Sequence, residues 1–336
     1  MGACAVALGA IALGLTWLPH PARAGERGLA LHRFRIAAGQ PGCGVSVDPG
    51  GGPRYCADQP RFRRLATQLG FTAAWPLQTP ARGIGYGGFD AGATISLTAL
   101  DARADYWKLA TQDAGSGAAA GNPSPPAALV WLRAEARKGL PYGLELAGAL
   151  SRRWGSGLWL VGAALKCTPF EGFHSGLGQL PDLALLVWTQ ALVGSPVIGA
   201  SVHGLDAVIS KPLAIWNVAS LSPYVSLGPL WIRTPETLVD LTPDTDAWAS
   251  CVPLPAQFPG APPNCIADGS DHSNLQRFAG FTAARWRTAI GIHARYRMLT
   301  GSGAVQWDLR QPSADADVPP GVSRQWSAGL ALGLRY

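Results

Sequence analysis

The sequence predicts an all-β chain: a closed antiparallel transmembrane β-barrel of about ten strands, with eight to twelve admissible, behind a short N-terminal helical lead-in. Three observations predict it. Apolar residues recur at every second position over about ten residues in segment after segment, the span a tilted strand needs to cross a bilayer. The positions between them carry Gly, Ser, Thr and charges, yet only 14% of the 336 residues are charged, against about 25% in soluble domains. Aromatic residues such as Tyr142, Trp159, Trp231, Trp286 and Trp326 fall near strand ends, as in interfacial girdles. A soluble sandwich would show the same alternation with its apolar face inward. The length of the uncharged faces and the aromatic placement weigh against it.

Residues 1–24 read as an export signal. Ala3 to Leu18 is apolar and uncharged, and Ala22-Arg23-Ala24 offers the small residues of a cleavage site, so the mature chain would begin at Gly25. No basic residue precedes the apolar run, and a retained anchor is the alternative. Export would place the cysteines in an oxidising compartment. Cys43 and Cys56 bracket a Gly/Pro-rich loop and Cys251 and Cys265 a Pro-rich one, so each pair is expected as a local disulfide; Cys167 is left over within a strand pattern. No CxxC and no His cluster accompanies them, so neither a metal nor another cofactor is expected.

The segment 25–82 does not alternate, and is expected either in the periplasm or as a plug. Asp58 is placed as the N-cap of a short helix near 60–70, with Pro60 in its first turn, Phe62, Leu65 and Leu69 on one face, and Gly70 ending the pattern. Arg61, Arg63 and Arg64 make it basic, which also admits an interfacial helix on anionic headgroups. A ten-strand interior is largely filled by its own side chains, so a plug would argue for twelve strands or more. Leu29 to Ile36 could add a strand.

Residues 83–336 form the barrel, with strands expected at roughly 84–100, 127–138, 141–152, 157–168, 181–193, 197–210, 215–232, 275–286, 288–299 and 324–336. Leu183 to Val202 is long enough and apolar enough for a transmembrane helix, but Gly194-Ser195-Pro196 in its middle reads as a turn between two strands. If the chain enters from the periplasm, the connections 101–126, 153–156, 194–196, 233–274 and 300–323 all fall outside, and the three longest are among them. Gly139-Leu140, 211–214 and Arg287 become inner turns, with 169–180 the one long exception. Short inner turns and long outer loops are the asymmetry expected of such barrels.

In the last strand Leu330, Leu332, Leu334 and Tyr336 alternate with Gly329, Ala331, Gly333 and Arg335. This ending resembles the C-terminal assembly signal of Gram-negative outer-membrane β-barrel proteins, with Tyr in place of the commoner terminal Phe. The resemblance covers the last strand specifically and the rest by architecture, and identifies no subfamily. It implies a bacterial outer-membrane location, outer-membrane lipid around the apolar face, and the barrel-assembly machinery as a partner.

Projected inward, Arg133, Arg137, Lys166, Arg285, His293, Arg295, Arg297 and Arg335 line a lumen whose acids are Asp90, Glu135 and Glu145. A cationic interior would concentrate anions. A passive channel or transporter of small, anionic solutes is therefore the first functional expectation, the solute itself being unspecified. A closed structural or surface-interaction barrel working through its outer loops is the alternative; it follows if Glu135 and Glu145 pair with the arginines. A lipid-modifying enzyme is a third reading. Ser201, His203 and Asp206 cluster on one strand, but Asp206 falls on the opposite face, and His203 is assigned to the lumen. With no nucleophile elbow and no HExxH, no catalytic role is expected. Gly83-Ile84-Gly85 leads into a strand rather than a helix, so it is no nucleotide loop. The formal net charge of +6 is dispersed, and no nucleic-acid partner is expected.

Overall fold

The structure, a computed structural model, describes residues 29–44, 55–111, 122–170, 180–195, 197–215, 218–241, 275–309 and 321–336. The export segment, Cys251 and Cys265 lie outside these residues. Ten strands form the wall: β1 (Phe89–Ala99), β2 (Ala128–Gly139), β3 (Leu144–Arg153), β4 (Trp159–Phe170), β5 (Asp182–Val193), β6 (Ala200–Ser210), β7 (Ala219–Thr234), β8 (Phe281–Tyr296), β9 (Leu299–Asp308) and β10 (Trp326–Arg335). Each pairs antiparallel with the next, and β10 pairs with β1, so the ring is closed and has no free edge. Tyr336 and Phe89 exchange backbone hydrogen bonds of 2.8 and 3.0 Å, which carries the seam to the last residue.

The period of two sorts the side chains. In β10, Leu330, Leu332 and Tyr336 stand outward at 65%, 75% and 77% exposure, while Ser327 and Arg335 are buried inside. Such an apolar outer face is stable only against lipid. Two aromatic girdles bound it. Trp159, Trp231, Trp286, Trp307 and Trp326 mark the end with the long loops, and Phe89, Tyr142, Tyr296 and Tyr336 the end with the short turns. The barrel is thus a transmembrane barrel of the outer-membrane kind, with the long loops at one end, termed outer, and the short turns at the other, termed inner.

The strand number agrees with expectation, but two strands are assigned differently. Arg287 makes no turn; it lies within the continuous strand β8, fully buried and pointing inward. The other strand of the hairpin is β9, in a stretch expected to be outer loop. The outer face of β9 includes Gly301 and Gly303, too little apolar surface to show as alternation. The inner turn between them falls at Arg297 and Met298, where Arg297 adopts φ 53°.

The N-terminal segment passes through the ring. Arg35–Ala37 pairs with Tyr55–Ala57, and the Cys43–Cys56 disulfide joins the two arms of this small cap. Helix α1 (Gln59–Thr72) follows, with the Asp58 side chain accepting the Arg61 N–H at 3.1 Å and Pro60 in the first turn. The cap end of α1 sits beside α2 (Asp105–Ala110) of the first outer loop, where Ala30 donates to the Ala110 carbonyl at 2.8 Å. From there the chain descends. Phe62, Leu65, Leu69, Phe71, Trp75 and Leu77 join one buried cluster with the lumen-facing Trp131, Leu160, Trp188, Val202, Leu230 and Ile232. Residues 73–84, outside any helix or strand, continue to the inner mouth, where the Ile84 N–H meets Glu145 at 3.3 Å.

A ten-strand ring therefore holds a helix, against the expectation that it would be full. Small residues at the contact points make the room. A Cβ at Gly70 would stand 2.3 Å from the Ile232 side chain, and one at Gly162 would stand 3.2 Å from the Trp75 ring. Gly70 is accordingly inside α1 rather than at its end. Cys167, left over by local spacing, is disulfide-bonded.

Candidate functional site

The lumen is built in two levels around the threaded segment. At the middle level, β8 aims Arg287 and β6 aims Asp206 at the thread. Their ion pair closes at 2.6 Å, and the same guanidinium donates to the Trp75 carbonyl at 2.6 Å. Trp188 donates its indole N–H to Asp206 at 2.6 Å and lies 4.6 Å under the Arg287 guanidinium. Arg133 stacks at 4.4 Å over the Trp75 ring and donates to Gln190 at 2.6 Å; Gln190 in turn donates to the Ala73 carbonyl at 2.7 Å. Each of these polar groups takes a backbone atom or aromatic face of the thread as partner, or positions a neighbour that does. A backbone outside helix and sheet needs such partners when water is excluded.

The inner level carries the charge. Asp90 bonds Arg137 at 3.1 Å and Arg335 at 2.9 Å. Arg137 also reaches Glu135 at 3.3 Å and Glu145 at 3.6 Å, and Lys166 reaches Glu145 at 2.9 Å. Lys166 donates to the Pro80 and Arg82 carbonyls and Tyr224 to the Leu77 carbonyl, so this level also grips the thread. The basic groups expected to attract anions are thus engaged with acids and carbonyls. Two cavities beside the thread measure about 30 and 20 Å³, room for one or two waters. His293 is buried against the larger, and its ring nitrogens have no protein hydrogen-bond partner.

Arg133, Glu135, Arg137, Glu145, Lys166, Arg285 and His293 stand on inward-facing positions of their strands. Three residues assigned to the lumen do not line it. Arg297 is in the exposed turn after β8. Arg295 keeps the inward parity but is exposed at the mouth, bonded to the Arg297 carbonyl at 2.9 Å. His203 faces outward, because in β6 the inward residues are Val202, Gly204, Asp206 and Val208. Arg287, Asp206, Gln190 and Asp308 are the lumen residues missed. Continuing the parity of Arg285 and His293 through position 287 would have found the first.

On the outer wall, His203 Nε2 lies 3.2 Å from Ser201 Oγ, and His203 Nδ1 lies 2.9 Å from Thr189 Oγ1 on β5. Asp206, the acid considered with them, is on the other face and held by Arg287. Among the described residues, no cluster of three His, Cys, Asp or Glu side chains is arranged to hold a metal.

No protein-family model matches the chain, and no curated protein does. Solved structures give distant likenesses. The chain is similar to the N-terminal β-barrel domain of Pseudomonas aeruginosa OprF (9% identity, 75% of this chain and 99% of that one, TM-score 0.30). It is likewise similar to the translocator domain of the autotransporter NalP from Neisseria meningitidis (9%, 75% and 89%, TM-score 0.31). A third is the attachment invasion locus protein Ail of Yersinia pestis, in complex with the heparin analogue sucrose octasulfate (9%, 75% and 99%, TM-score 0.24).

Proposed function

We propose that this ten-stranded barrel is a closed one, working at the cell surface through its cap and outer loops rather than by conducting solutes. The observation that carries the reading is the occupied lumen. Helix α1 and residues 73–84 run from the outer end to the inner mouth and are bonded at each level by buried side chains. In this reading the protein is exported through residues 1–24, sits in the bacterial outer membrane, and reaches it through the barrel-assembly machinery, which takes the C-terminal strand ending at Tyr336. The cap is then displayed to the medium, fastened by Arg35 donating to the Leu241 carbonyl at 2.8 Å and by the Phe62–Phe278 ring contact at 4.9 Å.

Planar-bilayer recording tests it. The purified protein is expected to insert without current steps, and a steady anion-selective conductance would restore the channel reading. A peptide tag placed at the exposed Gly39 is expected to bind antibody on intact cells; a tag reachable only after permeabilisation would refute the surface display.

A further inference from the structure

We propose that Ser201, His203 and Thr189 form a hydrolytic site for the acyl esters of outer-leaflet lipids, on the outside of the barrel wall. It is separate from the closed lumen and does not depend on it. Of the two neutral tautomers of His203 that satisfy the hydrogen-bond geometry, the Nδ1–H form is the one competent for hydrolysis. His203 Nδ1–H donates to Thr189 Oγ1 at 2.9 Å, which leaves Nε2 to accept from the Ser201 hydroxyl at 3.2 Å. That is a nucleophile bonded to its base, with the base oriented by a third group. Thr189 supplies orientation but no negative charge, so the site is expected to be slower than one with a carboxylate.

Location supplies the substrate. The outward face of β5 is otherwise apolar, with Leu183, Leu185, Val187, Ala191 and Val193, and β6 continues inward from the trio with Leu205, Ala207 and Ile209. The trio therefore interrupts a lipid-facing surface. Ser201 is the second residue of β6, directly below an outer loop, and His203 pairs in register with Trp231 of the outer girdle. Tryptophan girdles sit where headgroups meet acyl chains, the depth of lipid ester bonds. Arg233, exposed and in register with Ser201, offers a cation at the same depth for an anionic headgroup.

The chemistry balances with water as the co-reactant. Ser201 Oγ attacks the ester carbonyl while its proton passes to His203 Nε2. The tetrahedral intermediate collapses by breaking the bond to the alcohol oxygen, which takes that proton and leaves as the deacylated lipid. Water, deprotonated by His203, then cleaves the acyl–Ser201 ester, releasing the fatty acid and returning the proton to Ser201.

The test uses the full-length protein in detergent with a fluorophosphonate probe and, separately, fatty-acid release from diacylphospholipid micelles and from lipid A-bearing micelles. The folded wild type is expected to be labelled and to release fatty acid from one or both lipids, which also tells the two sources apart. Ser201→Ala is expected to abolish labelling, and His203→Ala to slow release by roughly 10²-fold or more, while both keep heat-modifiable gel migration. Thr189→Val is expected to lower kcat with KM unchanged, and Thr189→Ser to restore it. An unlabelled wild type that releases nothing from either lipid, or labelling that survives in Ser201→Ala, overturns the proposal. Neither outcome bears on conductance, so it stands or falls apart from the closed-barrel reading.

Discussion

Arg287 and Asp206, 81 residues apart in sequence, meet through two hydrogen bonds of 2.6 and 3.2 Å with neither side chain exposed. Removing one partner of such a pair strands a charge that water cannot reach. Arg287→Met is expected to destabilise the barrel by about 3–5 kcal/mol, read as a lower urea midpoint for the heat-modifiable folded band. Adding Asp206→Leu to that variant should recover most of the loss, because no lone charge then remains. A double variant as unstable as the single one would mean that the pair is not what holds this level together.

At Gly70 helix and wall pack so closely that an added Cβ would stand 2.3 Å from the Ile232 side chain. Gly70→Leu cannot be accommodated with α1 in place. Overpacking of this kind costs about 1–3 kcal/mol, which the helix can escape only by moving out of the lumen. The variant is expected to show intermittent current steps in planar bilayers and protease cleavage within 59–72, where the wild type shows neither. Gly148→Ala, whose added Cβ meets nothing within 4 Å, is the matched control and should behave as wild type.

Acid should loosen the outer cap. Asp105 of the first loop bonds Arg61 of α1 at 2.8 Å. Partial burial pushes its carboxyl up, but the Arg61 hydrogen bond and charge outweigh this and hold it below the usual carboxylate range. A group so depressed contributes stability in full above its unfolded value, roughly 4, and loses it as pH falls through the folded one. Amide exchange over Asp105–Ala110, corrected for intrinsic rate, is therefore expected to rise below about pH 4. Asp105→Asn should exchange faster at neutral pH and lack the acid step. The pair is half-exposed, so the effect stays under about 1 kcal/mol.

Removing the cap disulfide should act on the cap alone. The Cys43–Cys56 bond closes a loop with a separation of 13 residues, a constraint worth about 3 kcal/mol in the chain-entropy account. Cys43→Ala with Cys56→Ala is expected to admit protease within 29–57 while the barrel band keeps its heat-modifiable shift. Loss of that shift would mean that the cap stabilises the wall as well.

The outer surface was the most legible part of the sequence, because lipid demands apolar residues at every second position. Leu330, Leu332 and Leu334, or Leu183, Leu185 and Val187, meet that demand without exception. The interior imposes no such rule, since it admits whatever can pair. Val202 and Val208 face inward against a buried thread while Ser201 and His203 face lipid, so hydropathy reversed the sides of β6 near its outer end. Arg287 was assigned to a turn although it continues the inward parity of Arg285, and a partner on β6 makes it tolerable there. The helix at 59–72 was visible from Asp58, Pro60 and its apolar stripe. Its burial on all sides was not, because Thr67, Gln68, Gly70 and Thr72 are ordinary surface residues until a wall encloses them. Long-range hydrogen bonds such as Gln190 to Ala73 leave no mark on local spacing.

Topologically, the molecule is a thread locked through a ring, like a rotaxane. At the inner end the thread runs directly into the ring's own first strand, and at the outer end it broadens into a disulfide-stapled stopper. A stopper of that size cannot slip through a finished ten-strand hoop. The order of construction follows: the segment must cross before its cap is stapled, or while the hoop is still open, before Tyr336 meets Phe89. Withdrawal afterwards requires parting that seam or undoing the stopper. The joint between last and first strands is therefore a clasp on captive chain, fastened once.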